Sequence, residues 1–228
     1  EQVDAFYNDP SNNNVAEVKT KYEEGGSTTS IFAMRSLGID PANGQELFIT
    51  RNGVITHEWS GADQVIVGNT EPKGQGSFGL NASYKNFSLF ASFMYEFGGQ
   101  EYNSTLVSKV ENADIQYSNV DKRVLTDRWQ KPGDKVRFAA FSETYDGMNV
   151  GYVTRPTSRF VEDYNYLELA TLNVAYEFGV ARLKRLGIKR LKAMFYMNDV
   201  FHASSVKQER GIDYPFARNF SIGLQVRF

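Results

Sequence analysis

In the stretch 217–228, Ala-Arg-Asn-Phe-Ser-Ile-Gly-Leu-Gln-Val-Arg-Phe, polar and apolar side chains alternate without a break from Asn219 onward. Phe220, Ile222, Leu224, Val226 and Phe228 share one parity, and Asn219, Ser221, Gly223, Gln225 and Arg227 share the other. A period of two over this length specifies a β-strand with one apolar and one polar face. Two architectures use such a strand. It is a half-buried edge of a sandwich, or it is the closing strand of an outer-membrane barrel, whose residues alternate between lipid and lumen.

The same alternation recurs upstream. Phe78, Leu80, Ala82 and Tyr84 oppose Ser77, Gly79, Asn81 and Ser83. After a tight turn at Tyr84-Lys85-Asn86, Phe87, Leu89, Ala91, Phe93, Tyr95 and Phe97 oppose Asn86, Ser88, Phe90, Ser92, Met94 and Glu96. Phe90 and Met94 are mismatches on an otherwise small and polar face. Over Leu169 to Phe178, Ala170, Leu172, Val174, Tyr176 and Phe178 alternate with Leu169, Thr171, Asn173, Ala175 and Glu177, and further on Leu191, Ala193, Phe195 and Met197 with Lys192, Met194, Tyr196 and Asn198. Small polar residues fail to fill a sandwich core but suit a wet lumen. From residue 74 onward the connections run short (84–86), long (98–164), short (179–188), long (202–216). Short turns at one end and long loops at the other is the asymmetry of a bacterial outer-membrane barrel, with short turns and Phe228 periplasmic and long loops outside. The lipid-facing set is then Phe87, Leu89, Phe93, Leu172, Val174, Phe195, Ile222, Leu224, Val226 and Phe228.

Ahead of residue 74 the pattern is looser. Asn8-Asp9-Pro10-Ser11-Asn12-Asn13-Asn14 and Gly25-Gly26-Ser27 are breaks, with one short strand or helical turn expected over 15–22. Ser30 to Leu37 and Glu46 to Thr50 flank an Asp40-Pro-Ala-Asn-Gly44 turn and read as a hairpin. Arg51-Asn52-Gly53 is a third turn, leading into 54–59. The chain therefore divides into a loop and hairpin region over 1–73 and barrel strands over 74–228. Within the long insert, Tyr102 to Val107 and Val120 to Trp129 read as short helices, the second stopped at Pro132-Gly133.

Composition removes several functions. A formal charge of −2 leaves no basic footprint for nucleic acid. No run approaches the ~20 apolar residues of a spanning helix. Cysteine is absent, which excludes disulfides, thiolate metal sites and a thiol nucleophile. The two histidines, His57 and His202, have no helical partner for zinc. Gly74-Gln-Gly-Ser-Phe-Gly79 matches a dinucleotide fingerprint, yet a strand follows where a helix would have to begin, so the glycines mark the start of a strand. The basic stretch 182–192 suits lipid headgroups or solvent at a periplasmic turn. No catalytic residue, metal or cofactor is expected.

Three stretches resemble the C-terminal barrel of SusC/RagA-type TonB-dependent outer-membrane transporters. They are Ser36-Leu-Gly-Ile-Asp-Pro-Ala-Asn-Gly-Gln-Glu46; Tyr84-Lys-Asn-Phe-Ser-Leu-Phe90 through Tyr95-Glu-Phe-Gly-Gly99 to Tyr102-Asn103; and Asn119-Val-Asp-Lys-Arg-Val-Leu-Thr-Asp-Arg-Trp-Gln-Lys-Pro-Gly-Asp134 with Ser158-Arg-Phe-Val-Glu-Asp163 and Tyr214-Pro215. The resemblance covers the chain from about residue 30 and implies an all-β fold: the C-terminal antiparallel strands of a barrel of about 22 strands. It implies import of oligosaccharides or peptides with a SusD-like surface lipoprotein, driven by the TonB system through an N-terminal plug region. Neither the plug nor most of the strands lies in this sequence, so the chain reads as a C-terminal fragment, without catalysis, in the bacterial outer membrane. A complete barrel of ~8 strands and a secreted carbohydrate-binding sandwich are the alternatives.

Substrate-side contacts fall in the insert at 98–164. Trp129, Tyr145 and Tyr152 are candidates to stack on sugar faces, with Asp127, Arg128 and Glu162 bonding hydroxyls. The competing and favoured expectation is that Arg128, Trp129, Arg159 and Asp163 lock the loop to itself, because a loop of ~65 residues must order before it binds.

Overall fold

The structure is a computed structural model describing residues 24–113, 120–141, 154–179, 187–207 and 217–228. The expected element over 15–22 and Tyr145, Tyr152, Arg182 and Tyr214-Pro215 lie outside those residues. Two compact units emerge, one from residues up to 71 together with 100–163, the other from 72–99 together with 164–228.

The second unit is built on one antiparallel sheet of five strands: β6 (Gly74–Tyr84), β7 (Phe87–Tyr102), β8 (Val161–Glu177), β9 (Arg190–Ser204) and β10 (Phe220–Arg227), in the order β10-β9-β8-β7-β6. Every neighbour in space is a neighbour in sequence, as in a meander. The alternation sets the register. Phe78 lies opposite Phe93, Ala82 opposite Leu89 and Tyr84 opposite Phe87. Leu224 lies opposite Ala193, and Ile222 opposite Phe195, which in turn faces Val174. The Phe87 and Tyr176 rings stand 4.6 Å apart, so the apolar side of the first hairpin continues onto β8. Lys85, at φ 52°, makes the tight turn where the sequence puts it.

The strands run further than the alternation alone marks. β7 extends to Tyr102 and β8 begins at Val161, so the long insert is shorter than 98–164 by several residues at each end. His202, expected in a loop, lies within β9. The reason is backbone pairing without side-chain periodicity. The β8–β9 register breaks between Leu169 and Thr171, beside Asp199 at φ 49°, and past that break a period-two reading no longer applies.

The first unit holds two small sheets. β2 (Arg35–Ile39), β3 (Glu46–Ile49) and β4 (Ile55–Thr56) form one in that order, with the expected hairpin between β2 and β3. The other pairs β1 (Ser30–Ala33) with β5 (Val65–Asn69). Ser30 to Leu37 is therefore not one strand. It changes sheets at Met34, which is wholly buried and whose N–H donates to Pro156 O at 3.1 Å. The short helices of the insert are present, Ser104–Leu106 continuing into a π-helical turn to Glu111, and Arg123–Thr126. Leu106, Val107, Val110, Val124, Phe138 and Phe160 pack into a core beneath them.

The Asp40–Gly44 turn is clamped against Trp129 and Ala140. Gly44, at φ +74°, lies so close to Trp129 that an added Cβ would sit 2.6 Å from Cδ2 and 2.8 Å from the Ala140 Cβ. Gly44→Ala combines left-handed backbone strain with overpacking, and should cost roughly 2–4 kcal/mol. Both tryptophans, Trp59 and Trp129, belong to the first unit, so its unfolding is followed by fluorescence. The variant should unfold at lower denaturant than wild type, and an unchanged midpoint would contradict the clamp.

Candidate functional site

The two units carry different surfaces, and each bears on function separately. In the five-stranded sheet the apolar parity is uncovered. Ile222 is 72% exposed and Leu224 69%, and Phe78, Leu80, Phe87, Phe220, Val226 and Phe228 are all exposed. Phe93 and Phe195 are half-buried by ring neighbours on their own face: Phe78 stacks on Phe93 at 4.8 Å, and Phe220 on Phe195 at 5.8 Å. At ~25 cal/mol per Å², a continuous face of this kind is a large hydrophobic cost in water. Such a face is stable where the surroundings are themselves apolar. The other parity carries Ser77, Asn81, Ser83, Ser88, Ser92, Asn173, Asn198, Ser221 and Gln225, with Phe90, Met94 and Tyr196 exposed among them.

The insert carries a buried ionic cluster. Arg159 donates from Nη2 to Glu46 Oε2 at 2.9 Å and to Glu111 Oε1 at 2.6 Å, and from Nε to Glu46 Oε1 at 3.2 Å. Thr157 adds a 2.6 Å hydroxyl bond to Glu46 Oε1. The Arg159 side chain is 7% exposed and the two carboxylates 1% each. Burial alone would pull the guanidinium below its usual range, but the Glu46 charge and hydrogen bonds, then Glu111, outweigh it and raise the value. Because the folded value is raised, the stabilisation is fully present below the ordinary guanidinium range and is lost only as pH rises through that raised value. Arg159 therefore contributes no pH dependence near neutrality. Glu111 Oε2 has no hydrogen-bond partner among the described residues. Its charge is felt by Arg128, where it opposes the downward pull of burial.

Arg128, proposed for hydroxyl contacts, uses its donors internally. They reach Val124 O (3.2 Å), Ala139 O (2.8 Å), Val110 O (2.5 Å) and Glu111 O (3.0 Å), and the Phe141 ring stacks 4.0 Å from the guanidinium carbon. Trp129 packs on Gly44 and donates to Pro41 O at 3.0 Å. Asp127 accepts the Arg137 N–H at 3.3 Å, while Glu162 pairs with Arg137 and accepts from Asn103 Nδ2 at 2.8 Å. Asp163 accepts from Gln100 at 3.2 Å. Asp127 and Glu162 thus share Arg137 as a partner, while Arg128 and Trp129 bond elsewhere within the insert and the Asp40–Gly44 turn. Glu46 is a residue the sequence reading did not single out. Its signal was available, since it shares a parity with Phe48, the inward-facing residue of β3. A carboxylate on a buried face implies a buried cation.

His57 spans Glu46 O (Nδ1, 3.1 Å) and Asp40 Oδ2 (Nε2, 3.5 Å), and His202 meets Glu168 Oε2 at 3.1 Å. Among the described residues no group of three or more His, Asp or Glu is arranged to hold a metal, and no helix is long and apolar enough to cross a membrane.

With this geometry in hand, the solved structures decide the fold. The RagAB peptide transporter matches with a TM-score of 0.63 over 86% of this chain, at 19% identity. The chain has the fold of a segment of a SusC/RagA-type transporter barrel. The RagAB peptide importer in its open-open state gives 0.65 over 87%, and in its closed-closed state 0.57 over 86%, each at 19% identity. The chain spans about a fifth of the length of these transporters, 22–23% of each. No protein-family description and no curated protein matches the sequence.

Arg159→Met should destabilise the first unit by about 3–5 kcal/mol, since it strands Glu46 and Glu111 as buried unpaired charges. Arg159→Lys should recover little, because an ammonium lacks the fork that reaches both carboxylates. Denaturant midpoints read by Trp fluorescence check this. A wild-type midpoint for either variant would show that the cluster does not hold the unit.

Proposed function

We propose that this chain is a stretch of the wall and outer loops of a SusC-like, TonB-dependent importer in the bacterial outer membrane. The observation that carries the reading is the two-faced sheet: one exposed apolar parity and one small polar parity on the same strands. The residues Phe87, Leu89, Phe93, Leu172, Val174, Phe195, Ile222, Leu224, Val226 and Phe228 meet lipid, while the Ser, Asn, Thr and Gln parity borders a wet lumen. Among the described residues the edges β6 and β10 have no strand on their outer side, which hydrocarbon does not tolerate. They pair with further strands of a longer polypeptide, and that polypeptide also brings the plug through which the TonB system acts.

The chain's own role is passive, shaping a conduit and supplying outer loops without making or breaking bonds. The cargo is peptide or oligosaccharide, and the likeness to peptide transporters favours peptide. A SusD-like surface lipoprotein is the partner at the loop end. Asp127, Trp129 and Glu162 are the described candidates for cargo contact, with Tyr145 and Tyr152 of the same insert. Arg128 acts through packing.

The wall reading is tested in the protein as assembled in outer membranes. Leu224→Arg places a charge on the lipid parity and should cost about 2–4 kcal/mol at mid-depth, seen as loss of folded protein in the outer-membrane fraction. Gln225→Arg, one residue on, should assemble at wild-type level. Equal tolerance of the two substitutions would sink the proposal. For cargo, uptake of labelled peptides should fall on deletion of the protein, and growth on glycans should not.

A further inference from the structure

The sequence contains two Asn-Gly pairs, Asn43-Gly44 and Asn52-Gly53, both in turns of the first unit. Asn-Gly is the dipeptide most prone to spontaneous succinimide formation, because glycine leaves the following amide nitrogen unhindered. In that reaction the Gly N attacks the Asn Cγ, the side-chain nitrogen leaves as ammonia, and the peptide N–H proton is lost to solvent. Water then opens the ring to aspartate or isoaspartate. No oxidant or enzyme is needed. The step does require ring closure in the turn and the loss of the glycine N–H as a donor.

The two turns differ sharply in what they would give up. Around Asn43 the amide oxygen Oδ1 is itself occupied by Gln45 N–H at 2.9 Å, and Gly44 N–H donates to Asp40 O at 2.8 Å. Asp40 Oδ1 accepts from Ala42 at 2.9 Å, Gly133 N–H and Trp129 Nε1 both donate to Pro41 O, and Ala140 N–H donates to Gly44 O. Gly44 is buried against the Trp129 ring, so the turn has no room to pucker. Around Asn52 the tip is exposed at Arg51, Asn52 and Gly53 alike. Gly53 makes a longer bond to Thr50 O, 3.1 Å, and a Cβ placed on it would meet nothing within 4 Å. The neighbouring bonds, Val54 N–H to Thr50 Oγ1 and Arg51 N–H to Asp63 Oδ1, leave the Asn52 amide itself untouched.

We propose that Asn52 is a spontaneous deamidation site of the folded protein, while Asn43 is protected by the Trp129 clamp. Conversion adds a negative charge to the β3–β4 tip, beside the exposed Val54 and Ile55, and in the isoaspartate form lengthens the backbone by one methylene. The surface of this hairpin therefore changes with the age of the molecule.

The test is timed incubation of the full chain at mildly alkaline pH. Peptide mapping by mass spectrometry follows, with a protease that leaves 51–54 intact. In the folded protein Asn52 should convert at least about tenfold faster than Asn43, because both turns give up the glycine N–H bond but Asn43 must in addition release Oδ1 from Gln45 and move against the Trp129 ring. In denaturant the two rates should converge. Trp129→Ala should speed Asn43 without changing Asn52, and Asn52→Gln should abolish the signal at the tip. Equal rates at the two sites in a sample with native Trp fluorescence would overturn the proposal. So would an Asn52 that converts in denaturant but not in the folded chain. Neither result bears on the transporter reading, which rests on the other unit.

Discussion

A strand inside hydrocarbon has no water to bond its amides, so every N–H and C=O must be met by a neighbouring strand. That requirement makes the wall a sheet, and the sheet makes side chains alternate. Within the described residues β7, β8 and β9 are bonded on both sides, and β6 and β10 on one side each. Where the backbone is satisfied in this way, the side chains decide which face meets which medium. Phe220, Ile222, Leu224 and Val226 stand in register with Met197, Phe195, Ala193 and Leu191, so one parity is apolar across two strands. Val174 and Leu172 carry it to a third.

The first unit follows a different economy. It is not a repeat of one pattern but a set of short strands and turns gathered around a small core and a charge cluster. Arg159, Glu46 and Glu111 come from three separate stretches, with sequence separations of 113 and 48 residues between the arginine and its partners. Such a cluster contributes less to net stability than to uniqueness, because a misplaced partner leaves a buried charge unpaired. Arg128 plays the same part with backbone carbonyls, collecting four of them from three segments.

What was legible in the sequence follows from this contrast. Wall strands are local objects, and their alternation, turns and lengths could be read from Ser77-to-Phe97 and Phe220-to-Phe228 directly. The sorting of connections into short and long came with them. The insert was legible only as turns and short helices. Nothing local announces that Ile31 pairs with Gly68, that Met34 ends one strand and begins the next sheet, or that Glu46 meets Arg159. Those are non-local pairings whose sequence trace is a single residue of the wrong polarity on a buried face. The break at Leu169 and Asp199 was hidden for the same reason: a bulge has no periodic signature, and it ends the reach of a period-two argument.

The central claim is that adjacent residues of one strand face different media. Because the chain has no cysteine, single spin labels can be placed without background at Phe195 and Tyr196 on β9. Their collision with oxygen, which concentrates in lipid, and with a water-soluble nickel chelate is then measured by electron paramagnetic resonance in membranes. The account predicts oxygen dominance at 195 and nickel dominance at 196, alternating on to Asn198. The same ranking of the two quenchers at both positions would contradict it.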